Sequence, residues 1–304
     1  MSIREENIIN SNMKSLETEP KRSIRCNRLK ISPKELKKRL EAKNWKIDQP
    51  FEKHPEVMTI QSELEPGELG RTLEHQLGYY YIQELASMLP VIVLQPKEDD
   101  LVLDLCASPG SKTTQLGSEM NNTGTIIANE VSLGRIKILA SNLERCGVAN
   151  AIITKKEGYT LCTRLKNKNI LFDKILVDAP CSGEGTLRTS PKTAKMWNIK
   201  SVKNLSRLQK RLLTSALEIL RPGGELVYST CTHAPEENEE VIDFALKEFP
   251  NIKIEKISLP IKFNTGIKKW KDKEYLEDVK YSCRIYPHEY DTEGFFIAKF
   301  RRVR

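Results

Sequence analysis

The 304-residue chain has no stretch approaching the roughly 20 apolar residues that a membrane span needs. Nor does an apolar run follow the charges of Met1 to Asn10, so no secretory leader is legible. Both absences make a cytoplasmic protein the expectation. There is no CxxC pair, and the cysteines number an odd seven: Cys26, Cys106, Cys146, Cys162, Cys181, Cys231 and Cys283. Neither a zinc site nor a disulfide framework is therefore indicated, and no metal is expected. Most of these thiols should be small buried residues, with any exceptions marked by their neighbours. Internal repeats and low-complexity segments are also missing.

Acidic residues are absent from Arg188 to Arg211, which carries eight Lys or Arg. Lys21 to Lys46 is nearly as one-sided, with eleven Lys or Arg against two Glu. The formal net charge is +8, so the remainder of the chain is net acidic. Two concentrated basic stretches are the footprint expected of a polyanion partner. For either run alone a solvated helix face is an equal reading. Neither is apolar enough to enter a membrane.

Residues 1–20 are polar and aperiodic, and read as a flexible arm. A small α/β module with a linker helix is expected over 21–95. SIRCNRLKI suggests a strand, and Ser32-Pro33 opens a helix with Ser32 at the N-cap and Pro33 in the first position. Leu36 and Leu40 stripe that helix. A further extended segment lies near Thr59 to Leu64. Arg71 to Leu94 reads as one apolar helix, with Tyr79, Tyr80 and Tyr81 expected in a core or domain interface rather than stacked on bases.

From residue 96 to 304 the pattern turns regular. LVLDL, TIIANE, AIITKKE, DKILVDAP and GELVYSTC are runs of strand length separated by helical patterns, and FFIAKF adds one more strand. The last long helix is expected to stop at Gly223-Gly224. Alternation of this kind implies a mostly parallel Rossmann-like sheet covered by helices on both faces.

Three places carry chemistry. Leu101 to Leu116, LDLCASPGSKTTQL, runs a buried strand through small residues into a helix near Ser111, where backbone can approach a ligand. It is neither GxGxxG nor GxxxxGK[ST], so dinucleotide and NTP readings are weak. Glu130, about 20 residues on at a strand end, stands where a carboxylate accepts from ribose hydroxyls. Glu157-Gly158, after the third strand, sits where adenine would be contacted. Finally, Asp178, Pro180 and Cys181 follow one strand, and Cys231 follows another. Were those strands parallel neighbours, both thiols would open onto one edge, about 5 Å apart per strand.

Two thiols and a carboxylate beside a methyl donor suit cytosine C5. That carbon is a poor nucleophile until a thiolate adds to C6, and a base must later remove the C5 proton. A free thiol has pKa about 8.5, so lowering it to 7 needs about 2 kcal/mol. A helix N-terminus and a lysine are the expected sources. Asp178 would hold the exocyclic amine and N3. Enzymes that methylate exocyclic amines carry Asn/Asp-Pro-Pro-aromatic at this strand end, whereas here the run is Asp178-Ala179-Pro180-Cys181.

At LDLCASPGSKTTQ, ILVDAPCSGEGT, YSTCTHAPEENE and RIYPHEYDTEGFFIAKF the chain resembles the Nop/Sun family of RNA cytosine-5 methyltransferases, over essentially Ser23 to Arg301. The resemblance implies a class I methyltransferase domain with S-adenosyl-L-methionine as donor, preceded by an RNA-recognition-like module. It implies Cys231 as nucleophile and Cys181 as the thiol assisting product release. Cytosine-5 enzymes acting on DNA use the Pro-Cys thiol instead. By position, the donor would be held by Cys106, Ala107, Ser108, Pro109, Gly110, Ser111, Lys112, Glu130, Arg135 and Glu157, with Asp178 facing both donor and base. The family more often has Asp at the position of Glu157 and Ala at that of Ser108. The compact form is most similar to archaeal-type tRNA enzymes, which makes tRNA the expected partner and ribosomal RNA the alternative. A non-catalytic RNA-binding scaffold, or an enzyme acting on a protein or small molecule, are the readings from other classes. A monomer is the default expectation.

Overall fold

A computed structural model describes residues 21–303 save 191, 192, 194 and 196. The arm expected over residues 1–20 lies outside the described residues. The first module is built on β1 (Arg22–Cys26), α1 (Pro33–Glu41), β2 (Ile47–Asp48), β3 (Val57–Ile60) and β4 (Tyr80–Ile82). Its strands form an antiparallel sheet in the order β2-β3-β1-β4. Helix α1 starts as its sequence dictates: Ser32 Oγ accepts from Glu35 N at 3.2 Å, and Pro33 needs no partner for an N–H it lacks. Leu36 and Leu40 are fully buried against Ile24, Trp45, Met58 and Tyr80. Each such side chain stabilises the module by about 1.5–3 kcal/mol.

The single helix expected over Arg71 to Leu94 does not form. Two one-turn helices, Glu68–Arg71 and Leu73–Gln76, precede β4, and α2 (Leu85–Leu94) follows it. Gly78 is left-handed at φ +71°, and a Cβ there would stand 1.9 Å from the Arg145 carbonyl, so the chain must turn at this point. The tyrosines beyond it are strand formers that pair with β1. Tyr80 faces the module's own core, and Tyr81 faces the second domain between Arg25 and Arg145. Helix α2 packs on the large sheet, with Leu89 and Leu94 in one cluster with Val102, Leu176 and Val227.

That large sheet contains β5 (Leu101–Asp104), β6 (Thr125–Asn129), β7 (Ala151–Thr154), β8 (Phe172–Asp178) and β9 (Leu220–Thr230), all parallel in the order β7-β6-β5-β8-β9. Strand β12 (Phe295–Arg302) adds antiparallel to β9, and β10 (Ile252–Glu255) and β11 (Cys283–Ile285) both pair with the far side of β12. The connecting helices are α3 (Ser111–Glu119), α4 (Leu133–Cys146), α5 (Gly158–Lys166), α6 (Ile199–Glu218) and α7 (Glu239–Glu248). From β5 the chain winds first toward β7 and then back through β8 to β9. The strand order therefore reverses between β5 and β8, where ligands bind in such sheets.

Helix α6 ends at Glu218, five residues before the Gly-Gly expected to stop it. Leu220 already pairs with Phe172 of β8, and Arg221 to Gly224 bulge out opposite Asp173 before pairing resumes at Lys174↔Glu225. Tertiary pairing overrides the local Pro-Gly-Gly signal, and Gly223 absorbs the bulge at φ +78°.

The module docks through polar contacts, most of them buried. Arg25, 1% exposed, donates to Gln83 Oε1, to Ser111 O at 2.8 Å and to Thr114 Oγ1 at 2.9 Å. Asn27 Nδ2 donates to Cys146 O at 2.7 Å, and Arg28 pairs with Glu119 at 2.6 Å. Burial pushes the Arg25 guanidinium down to about 10, which leaves it charged at neutral pH. Arg25→Met keeps the aliphatic packing and removes the donors. It is expected to lower the stability of the whole chain by about 2–3 kcal/mol in urea unfolding, the worth of charged hydrogen bonds lost in a buried place. An unchanged midpoint would mean that other contacts hold the module.

Candidate active site

The loop between β5 and α3 is shaped by tertiary contacts more than by local propensity. Ala107 N donates to Asn129 O at 2.9 Å, tying the loop to the end of β6, and Gly110 turns the chain at φ +104° to start α3. Thr113 Oγ1 in the first turn donates to the buried Asp104 Oδ2 at 2.7 Å. Burial pushes the Asp104 carboxyl up to about 7, against that hydrogen bond.

A cavity of about 470 Å³ opens at the carboxyl ends of β5, β6, β7, β8 and β9. Cys106, Ser108, Glu130, Arg135, Glu157, Asp178, Cys181 and Cys231 all line it. Ala107, Pro109, Gly110, Ser111 and Lys112 do not; they shape the loop from behind. Pro109 presents its carbonyl to Asn142, Ser111 presents its own to Arg25, and Lys112 reaches the far side of Asp178.

Glu130 is 3% exposed, with Oε1 accepting from Ser132 N at 2.9 Å and Oε2 lying 3.3 Å from Arg135. Arg135 also donates to Ser108 O at 2.6 Å, so carboxylate, arginine and loop form one unit. Glu157 is exposed and accepts from the Tyr159 hydroxyl, and the Tyr159 ring is covered by Arg211 at 3.7 Å. The size is that of a nucleoside-class pocket. A buried carboxylate at one end with acceptor capacity, apolar Val131, Leu208 and Leu212 along the walls, and two thiols at the other end suit a charged adenosyl ligand.

At the β8–β9 end, Asp178↔Ser229 register sets the chemistry. Ser229 Oγ donates to Asp178 Oδ1 at 2.7 Å, and Lys112 Nζ donates to Oδ2 at 2.8 Å. Lys112 is in turn held by Ser87 Oγ at 2.9 Å and lies over the Phe295 ring. Lys112, expected among the donor-binding residues, is thus engaged with Asp178. Cys181 Sγ and Cys231 Sγ stand 3.2 Å apart, both thiols free and partly exposed to the cavity. The contact with Cys231, and then burial, hold the Cys181 thiol well above the ordinary range. Cys26, Cys146, Cys162 and Cys283 are buried elsewhere, as small core residues.

The loops bearing the two thiols are laced together by residues that sequence reasoning passed over. Glu237, fully buried, accepts from Ser182 N at 3.0 Å and Gln209 Nε2 at 2.7 Å, and Ser182 and Thr232 share a hydroxyl contact at 2.8 Å. Asn238 accepts from Thr230 Oγ1 and donates to Thr232 O. The signal was the acidic and amide run in THAPEEN directly after Cys231. Its buried role depends on α6 passing above it. Among the described residues no cluster of His, Cys, Asp or Glu suits a metal, and no helix is long and apolar enough to cross a membrane.

Removing Cys231 should move the Cys181 thiol back toward the ordinary range, because the largest cause of its upward shift is that contact. Iodoacetamide labelling of Cys181, followed by peptide mass spectrometry at pH 8, is expected to be faster in Cys231→Ala than in the unchanged protein. Equal rates would show that burial alone controls Cys181.

Residues 91–301 match the family model described as 16S rRNA methyltransferase RsmB/F, and residues 5–85 match that of the N-terminal domain of 16S rRNA methyltransferase RsmF. The tRNA (cytosine(49)-C(5))-methyltransferase of Pyrococcus abyssi is 44% identical, covering 93% of this chain and 88% of that protein. Ribosomal RNA small subunit methyltransferase F of Aliivibrio salmonicida is 41% identical over 93% of this chain, which spans only 58% of that relative's length. Among solved structures, a methyltransferase homolog from Pyrococcus horikoshii has a TM-score of 0.84 at 37% identity, covering 96% of this chain and 90% of that one. NSun6 from Pyrococcus horikoshii, solved with SFG, has a TM-score of 0.79 at 27% identity, covering 97% of this chain and 94% of that one.

Proposed function

The chain belongs to the RsmB/F family of methyltransferases, and we propose that it methylates carbon 5 of cytosine in RNA, with tRNA as the first substrate class. The observation that carries the reading is the pair of thiols 3.2 Å apart at the ends of β8 and β9, facing one cavity with Glu130. Identity of 44% to the archaeal tRNA enzyme supports tRNA. The ribosomal relatives and the family description support 16S ribosomal RNA as the second reading.

Glu130, Arg135, Glu157 and the Cys106–Ser108 loop would hold S-adenosyl-L-methionine, which when bound supplies an electrophilic methyl group. The chain's own part is to make C5 nucleophilic. Cys231 Sγ adds to C6, and the electron pair of the C5–C6 bond shifts to C5. Asp178, pinned by Lys112 and Ser229, accepts from the exocyclic amine and keeps the ring oriented. Cys181 keeps its proton while Cys231 is free, so its S–H can donate to the Cys231 thiolate. Once Cys231 is bonded to carbon, the main cause of the raised Cys181 pKa is gone; Cys181 can then release its proton to water, and the resulting thiolate takes the C5 proton while the C6–S bond breaks and Cys231 leaves as a thiolate.

The RNA backbone would be met by α6. Lys200, Lys203, Arg207 and Arg211 recur at helical spacing and are exposed, while Leu208 and Leu212 of the same helix line the cavity. Arg211 over Tyr159 joins that basic stripe to the cavity wall. A cytidine must leave any stack to present C6 there.

Cys231→Ala is expected to abolish methylation, and Cys181→Ala to accumulate a protein–RNA adduct seen as a slow band on a denaturing gel. An adduct from Cys231→Ala instead would exchange the roles. For Lys203→Glu with Arg207→Glu, KM for RNA should rise with kcat nearly unchanged, and the salt dependence of binding should flatten by about one unit per lost phosphate contact. An unchanged salt slope would remove α6 from the interface. Bisulfite sequencing of unmodified tRNA and ribosomal RNA, after incubation with protein and donor, decides the substrate. Protected cytosines in ribosomal RNA alone would favour the second reading, and protection in neither would leave a non-catalytic RNA-binding scaffold.

A further inference from the structure

Two glycines far apart in sequence meet behind Cys231. Gly185 N donates to the Cys231 carbonyl at 2.9 Å, and Gly294 N donates to the Gly185 carbonyl at 2.9 Å. The three backbones lie too close for side chains. A Cβ on Gly185 would stand 2.3 Å from Gly294 O and 2.9 Å from Cys231 O. One on Gly294 would stand 2.2 Å from His233 Nε2 and 2.9 Å from Gly185 Cα. Neither glycine has a positive φ, so close approach, not left-handed backbone, is what excludes a side chain here.

His233 closes this stack from the other side. Its ring lies against Tyr286 at 5.2 Å and 21°, and its carbonyl accepts from Arg284 Nη1 at 3.1 Å. Arg284 is itself locked by two bonds to the buried Glu239. Burial, helped by Arg284, pushes the imidazole down to about 4, so the ring is neutral at working pH and acts by shape. Gly294 leads directly into β12, whose Phe296 pairs with Thr230, the residue before Cys231. The wedge therefore hangs from the same strand ladder that carries the thiol.

We propose that His233, Gly294 and Gly185 form a positioning wedge that holds the Cys231 backbone, and with it the sulfur, at the angle needed for addition to C6. The inference rests on Cys231 being the nucleophile. All three are positioning residues, acting through the Cys231 carbonyl and touching neither base nor donor. A displacement of about 1 Å at a reacting atom costs up to about a hundredfold in rate.

The test measures the rate of protein–RNA adduct formation in the Cys181→Ala background, with the RNA concentration giving half the maximal adduct rate and the affinity for a donor analogue read on the same samples. Gly294→Ala is expected to slow adduct formation by about ten- to a hundredfold with both affinities unchanged. Adding His233→Ala removes the ring that the new Cβ strikes, and the double variant should be faster than Gly294→Ala alone. Merely loosened packing would make the double variant slower. If Gly294→Ala fails to bind the donor analogue, His233→Ala alone decides: slower maximal addition at an unchanged half-saturating RNA concentration supports the wedge. Full-rate addition in Gly294→Ala or in His233→Ala, or a change confined to the half-saturating RNA concentration, overturns it and leaves the nucleophile assignment standing. Absence of any adduct in the Cys181→Ala parent, with methylation intact in the unchanged protein, sinks both.

Discussion

Everything at the candidate site depends on how β8 and β9 pair. They run parallel, with Asp178 opposite Ser229, so the chain leaves both strands at one edge and the two thiols come to 3.2 Å. Side chains in a strand alternate faces, so a slip of one residue would turn Ser229 from Asp178 and shift Cys231 relative to Cys181. The bulge at Arg221 to Gly224 lies at the opposite end of the same pair. It takes up the irregularity where the strands begin and leaves the ladder regular from Lys174 to Asp178, where the chemistry is carried.

That geometry has an electrostatic consequence. Two thiols in contact cannot both ionise cheaply, and the contact raises Cys181. Under the proposed mechanism the pair would be divided into one sulfur that keeps its proton and one left to attack, and the division would reverse once the attacking sulfur is bonded to carbon. Lys112 does not enter this balance directly, because its ammonium is spent on Asp178 and Ser87. What it supplies, together with Ser229, is an Asp178 carboxylate with both oxygens engaged and its orientation fixed.

That these strand ends gather at one cavity was legible in the sequence because strand-end motifs are local. LDLCASPG, VDAPCSG and YSTC each pair a buried run with a small-residue turn, and the fold gathers such turns wherever a parallel sheet exists. Tyr79 to Tyr81 misled because an apolar, aromatic run has no period of its own; only the partner strand β1 and the turn at Gly78 make it a strand. The stop of α6 misled because Pro222-Gly223-Gly224 is a strong local signal that sits inside a bulge. Glu237 and Asn238 were invisible as buried groups, since nothing local tells a solvated acid from one clamped beneath a helix. Gly185 and Gly294 were beyond reach for the same reason: their meeting is a contact across 109 residues.

Net charge shows the limit of composition in a sharper form. Both basic stretches stood out by count alone, yet each contains an arginine removed from any surface role. Arg25 is buried at the seam between module and sheet, and the Arg188 side chain is 1% exposed against Asp291. These two arginines act on the protein itself, one docking the module and the other anchoring the segment after Cys181 to the segment before Gly294. Exposed cations able to meet a polyanion include those on the outer face of α6 and on α1. The α6 set borders the cavity, because Leu208 and Leu212 turn inward one helical face away. A phosphate drawn to that stripe would bring its nucleotide to the cavity mouth. Under the proposed function helix α6 would couple attraction of the backbone to delivery of the base, and the same helix, through Gln209 and Glu237, braces the loop that carries Cys181.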